Sequence, residues 1–155
     1  MSLPKPEPGL VIRYSYLWHT EHREGREEGI KDRPCAIVLA VENLRSSSPE
    51  GGSANNRPRV VVLPVTHTPP KDPALAIEVP PVTKSRLGLD ADRSWIILSE
   101  SNEFFWPGPD LRRNKGKGDS SVAYGLLPPA FYAELKRRFV ALAEASKSVT
   151  VKRTE

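Results

Sequence analysis

Arg33, Thr66, His67 and His19 are the residues whose types and settings suit chemistry. Arg33 enters the apolar run of DRPCAIVLAV (Asp32–Val41), and Thr66 and His67 lie near the end of the strand in RVVVLPVTHTPP (Arg59–Pro70). A permanent cation and a hydroxyl therefore stand at the ends of two buried strands, where β-rich folds present functional groups. A planar guanidinium holds two phosphate oxygens at once. A neighbouring hydroxyl donates to the same group and orients it. Histidine titrates at roughly 6.5, which makes His19 and His67 candidate proton carriers. A second basic group, Arg112, Arg113, Lys115 and Lys117, follows Phe104, Phe105 and Trp106. Cations beside aromatics suit a phosphate backbone with stacked, unpaired bases.

Each of these residues also has a plainer reading. Arg33 is then a solvated residue at a strand entrance, Thr66 a turn cap and His67 a surface turn residue. The basic group is then a solvated loop and the aromatics are core or a dimer contact. His19 and His22 are spaced HxxH and, with His67, would give three nitrogen ligands. No ligating cysteine and no clear carboxylate partner accompanies them, so no metal site and no cofactor are expected.

The chain that must position these groups has 155 residues, which suits one domain with its own core. Its net charge of +4 favours an anionic partner. The single cysteine, Cys35, sits in an apolar run and excludes an internal disulfide, which fits a reducing, cytoplasmic setting. The N-terminus lacks the apolar stretch of a signal peptide, and no apolar run reaches membrane-spanning length.

The periodicities predict a domain over residues 9–145, with residues 1–8 a flexible lead-in and 146–155 a disordered tail. VIRYSYLW (Val11–Trp18) alternates as a strand does, and residues 19–32 form a charged, exposed loop. CAIVLAV and RVVVLPV are buried strands joined across a Ser/Gly/Asn-rich connection at 45–58, with Pro64 marking an edge or bulge. ALAIEVP (Ala74–Pro80), SWIILSE (Ser94–Glu100) and VAYGLL complete the strands, and 107–121 is a long basic loop. One helix follows Pro128 and Pro129, its apolar face carried by Phe131, Leu135, Phe139 and Leu142. Glu134 precedes Arg138 by four residues on it. Five or six short strands followed by one helix predict a mostly β fold, a small half-open barrel with a C-terminal helix packed against it.

The ordered blocks PGLVIRYSY, an Arg-Pro step before an apolar strand, a strand ending in PVT, IEVP, and KSRLGLDADRSWIILSE before a C-terminal helix resemble the PemK/MazF family over most of residues 8–144. The resemblance implies an SH3-like barrel, a homodimer, and a sequence-selective, metal-independent endoribonuclease toxin. That is an mRNA interferase, an RNA- and DNA-binding hydrolase, neutralised by a cognate antitoxin protein. By this resemblance Arg33 matches the active-site arginine, Thr66 the hydroxyl residue of the third strand, and Glu28 the glutamate of the loop motif. The substrate would be single-stranded RNA, its 2′-hydroxyl the nucleophile, and the proton carriers His19, His67 or Glu28. Arg33 would stabilise the phosphorane, because its pKa is too high for easy proton donation. Arg112, Arg113, Lys115 and Lys117 would track the RNA backbone. Two alternatives remain open: a catalytically silent barrel of that family binding nucleic acid or a partner peptide, and a generic SH3-like peptide-binding module.

Overall fold

The computed structural model describes residues 3–23, 32–42, 57–113 and 121–153, and among these described residues there are eight strands and three helices. The strands are β1 (Leu10–Tyr14), β2 (Arg33–Val41), β3 (Arg59–Thr66), β4 (Ala76–Glu78), β5 (Trp95–Ile97), β6 (Glu100–Phe105), β7 (Ala123–Leu126) and β8 (Val149–Lys152). The helices are α1 (His19–Arg23), α2 (Pro81–Leu87) and α3 (Pro129–Glu144), and a 3₁₀ turn at Pro73–Leu75 leads into β4.

Alternation along β2 explains the two layers of core. Ala36 and Val38 project to one face, where they meet Leu63, Leu87 of α2, and Leu135 and Phe139 of α3. Cys35 and Ile37 project to the other, among Ile12, Tyr14, Val62, Phe104 and Trp106. A continuous apolar run is what a strand buried on both faces requires. Burial also pushes the Cys35 thiol well above its ordinary range, so it behaves as a small apolar side chain. Helix α3 seats the apolar stripe predicted from its spacing, and the Tyr132 hydroxyl donates to Val38 O at 2.7 Å. Glu134 pairs with Arg137 at 2.6 Å, one position earlier than the i,i+4 partner expected. Arg138 turns away and donates to the carbonyls of Pro73 and Ala76, tying α3 to the entry of β4.

Hydrogen bonding orders the sheet β4-β5-β3-β2-β1-β7, with β6 branching from β3 and β8 lying parallel to β6. Strand β3 changes partner along its length: Arg59–Val62 pair with β6, and Val65 and Thr66 pair with β5. Pro64, which has no N–H to donate, sits at that exchange, where a missing donor is tolerated. Among the described strands β4 pairs with neither β7 nor β8, so the sheet is open. The predicted SH3-like barrel is therefore corrected to a mixed α/β fold with an open sheet. Closing a barrel demands a matched stagger and tilt between first and last strands, and a count of strands does not supply it.

Other expectations shift with it. The exposed loop at 19–32 begins with the helical turn α1, and α2 occupies Pro81–Leu87, a stretch to which the periodicities assigned no element. The single strand expected over Ser94–Glu100 is two, β5 and β6, broken at Leu98 and Ser99. Within the tail expected at 146–155, Val149–Lys152 form β8 in register with Glu100–Glu103.

Candidate functional site

Arg33 opens β2, opposite Tyr14 of β1. Pro34 behind it holds the backbone extended, which aims the side chain along the strand end rather than into a helix. Its guanidinium lies 4.9 Å from the centre of the Trp18 ring. Nη1 makes a long, 3.4 Å contact to Val65 O, and the buried Nε has no hydrogen-bond partner. Among the described residues no carboxylate pairs with Arg33. A half-buried guanidinium in that state is a poorly satisfied cation, because a buried donor ordinarily finds an acceptor.

Trp18 is fixed from several sides. Its backbone N–H donates to Glu21 at 3.1 Å, and its ring meets Tyr16 edge-on at 5.1 Å. The Tyr16 hydroxyl and the His19 backbone N–H both donate to Glu100 Oε1, at 3.1 and 3.0 Å. Burial raises the Glu100 carboxyl above its ordinary range, against the lowering effect of those two donors. His19 thus contributes its backbone here.

The other side of the strand end is a charge cluster that residues 84–94 build. Gly88, at φ 72°, caps α2 in the left-handed region and returns the chain toward Lys84. The Lys84 ammonium is buried and donates to Asp90 Oδ1 and Ser94 Oγ, both at 2.6 Å, and to the Asp92 carbonyl. Asp90 also meets His67 Nε2 at 2.8 Å. The Asp90 carboxyl is held below its ordinary value, first by the hydrogen bond from Lys84 and more weakly by His67. Thr66 Oγ1 accepts from Thr68 N at 3.2 Å, the local turn expected of it, while its own proton stays available for donation. A small cavity of about 50 Å³ lies between Pro34, Val65, Thr66, His67, Asp90 and Ser94.

The structure thus gathers Arg33, Thr66 and His67 at the meeting of β2 and β3, and leaves His19 beside Trp18. Glu28, Lys115 and Lys117 lie outside the described residues. Arg113 is exposed, whereas Arg112 is drawn in, with Nε 3.4 Å from Asp32 and Nη1 donating to Pro109 O. Phe104 and Trp106 are core, Phe104 stacked on Tyr14 at 4.7 Å, while Phe105 is partly exposed. Sequence reasoning did not single out Lys84, Asp90, Ser94 or Trp18. The signal available was the block KSRLGLDADRS, in which a lysine, two aspartates and a serine flank a Gly-capped turn.

Among the described residues His67, Asp90 and Asp92 form a group of metal-ligand type, with donor atoms within 4.8 Å of one another. All three are exposed, and Asp90 already answers Lys84. His19 is not a member of this group, and the side chain of His22 lies outside the described residues. No helix among the described residues is long and apolar enough to cross a membrane.

Comparison with protein-family models, with curated proteins and with solved structures finds no match for this chain. The expectation of a PemK/MazF-type endoribonuclease, and with it the toxin, mRNA interferase and hydrolase assignments, is corrected on the open sheet. The metal-free cleavage and its silent-barrel alternative both rested on that family's SH3-like barrel, which the open sheet of this chain does not form.

Proposed function

We propose that this chain is a binding protein for a phosphate-bearing ligand, and that the backbone of single-stranded RNA is its partner. The observation that carries this reading is Arg33: a half-buried guanidinium, laid on an indole, with an orphaned Nε–H and no paired carboxylate among the described residues. A phosphate supplies the missing acceptors in the fork geometry that arginine presents. The Thr66 hydroxyl and the partly buried Trp18 ring are the adjoining polar and stacking groups, and the net charge of +4 favours association with a polyanion.

The test is fluorescence anisotropy with a labelled single-stranded RNA of mixed sequence. The expected outcome is salt-dependent binding that Arg33→Ala weakens about tenfold or more, in line with loss of one bidentate, charge-assisted contact. Arg33→Lys keeps the charge and is expected to recover only part of the affinity. Equal affinity for the wild type and Arg33→Ala would overturn the reading.

A further inference from the structure

We infer that Arg153, the residue following β8, is a positioning residue for Trp18 and through it for the Arg33 site; the inference rests on the binding role proposed for Arg33. The Trp18 platform belongs to no strand. The chain leaves β1 at Tyr14, and residues 15–18 run free of the ladder until α1 begins. Asn102 of β6 holds this segment as a neighbouring strand would: Leu17 N–H donates to Asn102 Oδ1 at 2.9 Å, and Asn102 Nδ2 donates to Leu17 O at 2.8 Å.

A side-chain amide can do this in one orientation only. Arg153 reinforces it, because its Nη1 donates to the same Asn102 Oδ1 at 3.0 Å. Turned over, the amide would set its NH₂ against the guanidinium and against Leu17 N–H. Nη1 also donates to Ser15 O at 2.7 Å and approaches the Tyr14 hydroxyl at 3.3 Å. Nη2 pairs with Asp110 at 3.0 Å, which compensates a cation whose side chain is only 1% exposed. Arginine is not needed for β8 to pair with β6, which the backbone does from Val149 to Lys152. What it adds is one geometry for residues 15–17, and hence a fixed place for the ring on which Arg33 lies.

The test uses full-length Arg153→Met, Trp18→Ala and the double variant, with a labelled single-stranded RNA of about 12 nucleotides, within the site sizes of single-strand binders. Arg153→Met is expected to weaken binding about tenfold. The double variant is expected to bind no more weakly than Trp18→Ala alone, because the two residues act through one contact. Wild-type affinity in Arg153→Met, or losses that multiply, would overturn the inference. A ligand-free measurement separates it from the binding proposal: the Trp18 indole N–H resonance, assigned with Trp18→Phe, is expected to move in Arg153→Met while that of Trp95 stays. An unmoved Trp18 signal overturns the inference whether or not RNA binds. Should Arg153→Met fail to fold, Arg153→Lys keeps a cation near Asp110 but cannot span Ser15 O and Asn102. It is then expected to show the same non-additivity with Trp18→Ala, and unchanged affinity in it would overturn the inference.

Discussion

Arg33 and Lys84 are cations set near one strand end in opposite conditions. Lys84 is saturated by Asp90, Ser94 and the Asp92 carbonyl, so it acts as a staple for the turn between α2 and β5. Arg33 has donors to spare, so it is the group that a ligand would complete. The staple makes a testable claim about pH. Asp90, held below its ordinary value of about 3.8 chiefly by Lys84, contributes stability that is full above that value. The contribution is lost as pH falls through the lower folded value. Lys84→Met is expected to destabilise the protein by about 2 kcal/mol near neutral pH, as loss of buried charge-assisted hydrogen bonds does. The gap between variant and wild type is expected to narrow as pH drops below the ordinary carboxylate value. Urea unfolding at several pH values checks this, and a gap independent of pH would show that Asp90 is not the partner that matters. At this scale Arg33, Thr66 and His67 were legible because their types stand out at strand ends. Lys84 and Asp90 were not, because a lysine and an aspartate in a polar stretch ordinarily read as solvated.

At the scale of elements, periodicity was a good guide wherever one face or both faces are buried. The apolar runs of β2 and β3 and the stripe of α3 are where their spacing placed them. Leu135 is fully buried at the centre of the α3 contact with the sheet. Leu135→Ala is expected to cost about 2–5 kcal/mol, as large-to-small core substitutions do. Chemical denaturation with an unchanged denaturant slope would attribute the loss to this cavity, and a cost under about 1 kcal/mol would mean that α3 is not seated as described. Short elements were less legible. Strand β8 reads as a polar tail because its pairing is parallel, distant in sequence, and made by backbone groups, with Val151 its one buried side chain. The break between β5 and β6 is invisible in SWIILSE, since Leu98 at the break is as apolar as β5 itself and only Glu100 of β6 falls within the run.

For the whole molecule, the open sheet predicts a gradient of protection. Amide hydrogen exchange is expected to be slowest in β2 and the β2-facing part of β3, which have neighbours on both sides, and faster in β4, β7 and β8. Protection of β4 equal to that of β2 would argue for a closed sheet. The sequence by itself determined the apolar strands, the C-terminal helix and the presence of a cation, a hydroxyl and an imidazole at strand ends, because side-chain type and spacing act locally. Only the tertiary structure decided that the sheet stays open, that Asp90 answers a buried lysine, and that Asn102 and Arg153 hold the Trp18 platform. The open sheet and the Trp18 platform depend on hydrogen-bond register and on contacts between residues far apart in the chain, such as Leu17 with Asn102. Lys84 and Asp90, though close in sequence, pair as they do because the fold buries the lysine.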